Sequence, residues 1–267
     1  MYFNPSQQGL ALANELFAEG CQTFTFNEIV ERLGKSKTST SNLLKRMENS
    51  GLIVRVRHGH YIVRQLGLLG IPAVYEDIPL SVGAALRNIP HRIAYRTALY
   101  EHELIVHPPG IVQIAALYKL RTKSFSGLPL QIVTESSGKL EIGRIPWGAS
   151  YISDLHRSIL DAAQQPLLVG GIEVLATSLF LASSSLRADI FMEYARELKW
   201  TAGLRRLGSL SDALEIIGIE NKLEPFSAIT TDLELEPGTD EPTMWRDRRW
   251  GTRWTKSIDE IRSVIEH

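Results

Sequence analysis

The chain has 267 residues, with 29 Lys and Arg against 30 Asp and Glu, for a formal charge of −1. Near-neutrality excludes a protein coated in basic charge, so any nucleic-acid surface must be local. Cys21 is the only cysteine, which excludes an intrachain disulfide and a multi-cysteine zinc site.

The length suggests two domains. The first residues lack a basic segment followed by an apolar one, so no signal peptide is expected. The most apolar run, 167–182, is shorter than a membrane span and carries Glu173. The expectation is a soluble, cytoplasmic protein.

Leu10, Leu12, Ala13, Leu16 and Phe17 recur at helical spacing and predict a first helix ended by Gly20. In a second helix Ile29, Val30 and Leu33 form the inward side. Thr25, with Glu28 three residues on, fits a capping box. Ser36 is the expected cap of a third helix, with Leu43, Leu44 and Met47 inward and Lys37, Thr38, Ser41, Asn42 and Lys45 outward. Ser50-Gly51 stops it. An alternating ribbon follows, turning at His58-Gly59. Helix, tight turn, longer helix and ribbon together predict a winged helix.

Residues 66–79, rich in Gly and Pro, read as a docked linker. A second domain is expected to open with helices over 82–89 and 95–104. Strands are expected over 111–116, 128–134, 140–145 and 149–152, separated by Gly, Ser and Pro. From Ser153 the pattern turns helical, with four helices from 154 to 217, the first ended by Pro166. The tail is acidic to Glu241, then basic and Trp-rich over 245–254, with a last helix over 258–265. The expected fold is therefore α+β. A winged helix-turn-helix domain (1–65) and a linker (66–79) precede a mixed C-terminal domain (80–267), which has a small sheet and a helical second half.

From Leu33 to Arg64 the cations Lys35, Lys37, Lys45, Arg46, Arg55, Arg57 and Arg64 face one acid, Glu48. Such local excess suits phosphate, because affinity comes from releasing condensed counterions. Lys, Ser, Thr and Asn at the front of the third helix can reach base edges or phosphates in a major groove. The expected DNA contacts are Lys35, Ser36, Lys37, Thr38, Ser41, Asn42, Lys45 and Arg46 from the helix, and Arg55, Arg57, His58 and Gly59 from the wing. The competing reading is a winged helix used for protein contacts, and the charge asymmetry argues against it.

Other motifs fail on spacing. His102 and His107 are five apart, so they do not share a helix face as a zincin pair must. Ser153, Asp154 and His156 are neighbours in sequence, whereas a catalytic triad is defined by geometry. Asp154 reads as a helix cap, and Arg157 with Asp161 as an i,i+4 pair on the helix surface. Gly170-Gly171 is not followed by a phosphate-binding Lys-Ser/Thr. Arg205-Arg206 and the Arg246–Trp254 cluster could grip RNA or an acidic partner, or could lie over a core with Trp filling it. No catalytic role, metal or cofactor is expected.

The second half resembles the AbiEi antitoxin family. Arg157-Ser158-Ile159-Leu160-Asp161 is similar to its R-x-x-L-D helix, and residues 166–171 to its P-x-x-x-G-G turn. Arg205-Arg206-Leu207-Gly208 is similar to its R-R-L-G. Residues 98–104 resemble its A-L-x-x-H-G-L helix, with His102 matched and Glu103 where glycine is usual. Arg248-Arg249-Trp250-Gly251 resembles its R-x-W-G strand, and His156 stands where an acid is usual. The motif positions carried over are His102, Arg157, Asp161, Gly170, Gly171, Arg205 and Arg206.

The resemblance implies a bicistronic abortive-infection system. Its antitoxin represses its own promoter by binding inverted repeats, and it counteracts a nucleotidyltransferase toxin without needing a stable complex. The alternative is a stand-alone winged-helix regulator whose C-terminal domain senses a small molecule.

Overall fold

The computed structural model describes residues 6–64, 78–119, 124–125, 128–216, 219, 222–225, 229 and 231–265. The first unit comprises α1 (Gln7–Ala18), β1 (Thr23–Thr25), α2 (Phe26–Leu33), α3 (Lys37–Asn49), β2 (Ile53–Arg57) and β3 (His60–Val63). Local chemistry sets its helix starts. Thr25 Oγ1 accepts from the Glu28 amide at 3.3 Å, and the Glu28 carboxylate accepts from the Thr25 amide at 2.7 Å, which closes the expected capping box. Ser36 caps α3 by accepting from the Ser39 amide at 3.2 Å. Leu43, Leu44 and Met47 of α3 pack with Leu12 and Leu16 of α1, Ile29 of α2 and Leu52. The strands form an antiparallel sheet in the order β1-β3-β2.

The expected linker lies outside the described residues from 66 to 77. Its last two positions, Ile78 and Pro79, open α4 (Ile78–Leu86), which therefore starts and ends earlier than the 82–89 pattern predicts. Then come β4 (His91–Ile93), α5 (Tyr95–Glu101), β5 (Val112–Ala116), β6 (Ser124–Phe125), β7 (Leu128–Thr134), α6 (Ser137–Glu141), β8 (Arg144–Trp147) and β9 (Ser150–Ser153). Six of these elements are strands of one mixed sheet, ordered β6-β7-β5-β4-β9-β8.

The strand expected over 140–145 is corrected. Leu140 and Glu141 end the one-turn helix α6, and β8 begins only at Arg144. Leu140-Glu141-Ile142 alternates as a strand would, but Leu140 is buried from the helix instead.

The helical half holds α7 (Leu155–Gln164), α8 (Pro166–Val169), α9 (Ile172–Ala182), α10 (Ala188–Leu198) and α11 (Thr201–Ala213). Asp154 caps α7, accepting from the Arg157 amide at 2.7 Å, and Pro166 occupies the first turn of α8. β10 (Leu233–Glu234), β11 (Trp245–Asp247) and β12 (Thr252–Trp254) form a small sheet in the order β10-β12-β11, and α12 (Ile258–Ile265) follows.

Alternation along β5 divides the interior. Ala115 joins the core under α7, α9 and α11, while Val112, Ile114 and Ala116 face the α4 side. That second core also contains Val56 and Ile62 of β2 and β3. Helix α4 thus lies between the N-terminal ribbon and the large sheet. The approach is close: a Cβ on Gly83 would overlap the Ala149 carbonyl.

Candidate nucleic-acid interface

One face of α3 is buried, and the other presents the residues singled out from sequence. Lys35, Ser36, Lys37, Thr38, Ser41, Asn42, Lys45 and Arg46 are all exposed. Ser36 spends its hydroxyl as the helix cap, and Arg46 Nε donates to the Asn42 carbonyl at 3.3 Å. Arg64 is buried and adds no surface charge.

The wing carries two Arg–His pairs. Arg55 Nη2 donates to His58 Nδ1 at 2.7 Å, and Arg57 Nη2 donates to His60 Nε2 at 2.9 Å. A register shift lies between Arg55 and Arg57, so that Arg57 pairs with His60 across the ribbon. Gly59 turns the wing with φ of +76°, a conformation that favours glycine. His60 Nδ1 donates to the Ala84 carbonyl of α4 at 2.9 Å. Both His60 nitrogens are thereby used by the neutral ring. Burial, with Arg57 beside it, pushes the His60 pKa below the usual imidazole value.

Between α2, α3 and the wing runs a groove of about 870 Å³. Ser41 lines it from α3, Asn27 from the start of α2, and Arg55, Arg57 and His58 from the wing. The Phe26 amide donates to the Gly59 carbonyl at 2.8 Å, which fixes the two walls together. Arg87 and Asn88, just beyond α4, complete the lining. Sequence reasoning missed Asn27, Arg87 and Asn88. Asn27 could have been noticed as a polar residue in the first turn of α2. The place of Arg87 and Asn88 depends on how α4 docks, which no local pattern encodes.

The motif residues of the second domain sit apart from this groove and have structural partners. Arg157 and Asp161 are not on the helix surface as expected; both are fully buried. Arg157 Nε donates to Asp161 Oδ1 at 2.7 Å, and Arg92 Nη1 donates to Asp161 Oδ2 at 2.6 Å. Glu135 accepts from both arginines, at 2.9 Å from Arg92 and 3.1 Å from Arg157. Arg157 Nη1 also donates to the Lys139 and Ile142 carbonyls. Burial pushes the Asp161 carboxyl up, but Arg157 and Arg92 outweigh it and hold it below the usual carboxylate range.

His102 donates through Nε2 to the Ser153 carbonyl at 2.7 Å and leans on Trp147, tying the end of α5 to β9. Gly170 and Gly171 have φ of +105° and +104°, and a Cβ on Gly170 would press on the Arg96 guanidinium. Arg96 Nη1 donates to the Val169 carbonyl at 2.6 Å.

Arg205 and Arg206 clamp carbonyls. Arg205 donates to Trp250, Thr231 and Gly251, and Arg206 to Glu234, Ala163 and Gln164. Burial and the adjacent Arg205 push the Arg206 pKa down to about 10, so it remains charged at neutral pH. Trp250 and Trp254 are fully buried. Arg246, Arg249 and Arg253 pair with Asp232, Asp212 and Glu234. The two tryptophans thus fill the core, while Arg246, Arg248 and Arg249 stay exposed.

Ser153, Asp154 and His156 are not assembled as a triad. Ser153 bonds Arg92 and Asp161, Asp154 accepts from Tyr194, and His156 Nε2 accepts from the Arg187 amide. Among the described residues no group of three or more His, Cys, Asp or Glu is placed to hold a metal ion. No helix among them is long and apolar enough to cross a membrane.

Residues 7–60 match the MarR family. The N-terminal unit is thus a winged-helix DNA-binding domain of the kind used by regulators. Over 99% of this chain and 96% of the other, the fold is similar to the crystal structure of the RV2827C protein from Mycobacterium tuberculosis, with a TM-score of 0.70 and 12% identity. At that identity the likeness is one of fold alone. No curated protein matches the chain.

Proposed function

We propose that the chain is an antitoxin of a two-gene system that represses its own promoter and counteracts a nucleotidyltransferase toxin encoded beside it. The observation that carries the DNA half is the exposed polar and cationic face of α3 set beside the Arg55–Arg57 wing. The helix reads a major groove and the wing rests on the flanking backbone. The antitoxin half is supported by the resemblance of residues 98–104, 157–171 and 205–208 to the AbiEi family. The chain acts in the cytoplasm, where both its DNA and the toxin are found.

Co-expression with the adjacent reading frame tests the antitoxin half. Full-length chain restores growth when that frame encodes a nucleotidyltransferase whose expression alone arrests cells. Continued arrest contradicts the antitoxin role while leaving DNA binding intact.

One observation favours a second reading, a regulator that senses a small molecule. A cleft of about 420 Å³ is lined by Tyr100, Glu101, Trp147, Pro108, Ile78 and Pro79. An isolated gene beside a metabolic operon would favour that reading over the first.

A further inference from the structure

We infer that the DNA surface crosses into the second domain, where Arg87 and Asn88 join Arg57 of the wing in one seat for a phosphate backbone. The inference rests on the DNA-binding reading above and adds to it residues outside the winged helix.

The groove that begins at Ser41 on α3 continues past the wing to Arg87 and Asn88. Three guanidiniums, those of Arg55, Arg57 and Arg87, line it against one carboxylate, that of Glu28. Its walls are already fixed. The Phe26 amide holds the Gly59 carbonyl, and His60 holds the Ala84 carbonyl of α4. Backbone recognition therefore needs no movement of one unit against the other.

Each cation in the groove has an internal acceptor that a phosphate could replace. Arg55 and Arg57 donate to imidazole nitrogens, whereas a phosphate oxygen is a charged and stronger acceptor. Arg87 Nη1 lies 2.6 Å from Glu28 Oε1, with both side chains nearly half exposed. An ion pair that open to water is readily exchanged. Glu28 is occupied elsewhere too, because its other oxygen accepts the Thr25 amide of the capping box. The arrangement keeps the one acid of the groove neutralised while leaving Arg87 at its rim.

The test uses the full chain and a fluorescently labelled mixed-sequence duplex of about two helical turns. Anisotropy is followed between about 50 and 200 mM salt. Arg87→Ala weakens binding several-fold and flattens the salt slope by about 0.9, the value for one lost phosphate contact. Arg87→Lys keeps the slope. Glu28→Gln tightens binding, because it removes the acid while glutamine still serves the capping box. Arg187→Ala, an equal charge loss outside the groove, changes neither quantity.

An unchanged slope in Arg87→Ala would overturn the inference. Weakening by both Arg87→Ala and Glu28→Gln would overturn it as well, reducing the pair to a structural tie between the two units. Absence of binding by the unmodified chain would instead remove the DNA reading itself.

Discussion

At Asp161 four buried charges meet, and their pairing explains why the R-x-x-L-D spacing matters. The i,i+4 interval puts Arg157 and Asp161 on one helix face, as the sequence indicated. What periodicity could not indicate is that this face points inward at Arg92 and Glu135. Two arginines balance two carboxylates, so removing one partner strands a charge in the core. Asp161→Asn therefore lowers stability by about 3–5 kcal/mol, read as a lower urea midpoint; an unchanged midpoint would refute the pairing argument. Glu103 teaches a related lesson. It sits at φ of +60°, a left-handed conformation in which glycine carries no side-chain penalty. The resemblance already marked that position as one where glycine is usual, and the backbone supplies the reason.

Among the elements, those with strong local signals were legible. The capping box of α2, the Ser36 cap of α3, the inward faces of both helices, and the spans of α9, α10 and α12 follow from residue spacing. β4 was not legible. It is three residues long, and its His91 and Arg92 are polar yet buried, because their partners come from β9, α7 and the end of β7. The short strands of the tail were misplaced for a similar reason: residues 248–251, matched to a strand by resemblance, form the turn between β11 and β12. β11 and β12 gain meaning only where Trp250 and Trp254 pack on α11. There a Cβ on Gly208 would overlap the Trp250 ring, which accounts for the glycine in R-R-L-G. Gly208→Ala should overpack this contact at a cost of about 1–3 kcal/mol, seen as a lower melting temperature with weakened near-ultraviolet dichroism. Retention of both signals would show that the tail can yield.

For the molecule as a whole, α4 is the element that decides how the two units relate. Its apolar residues share a core with Val56 and Ile62 of the wing strands and with Ile93, Ile114 and Ile152 of the large sheet. The sequence showed a glycine- and proline-rich boundary with a helix after it, but not that this helix packs on both sides. The candidate DNA residues on α3 and the wing were legible from local charge, while the Arg87 rim required the docked arrangement.

The central claim is that α3 and the wing bind DNA through this one local basic surface. Its most direct test is the salt dependence of binding to duplex DNA from upstream of the chain's own reading frame. The unmodified chain is compared with the Lys37→Ala, Lys45→Ala, Arg55→Ala triple variant. The account predicts a salt slope flatter by about 2–3, since each lost phosphate contact removes about 0.9. Equal slopes and affinities for the two proteins would contradict it.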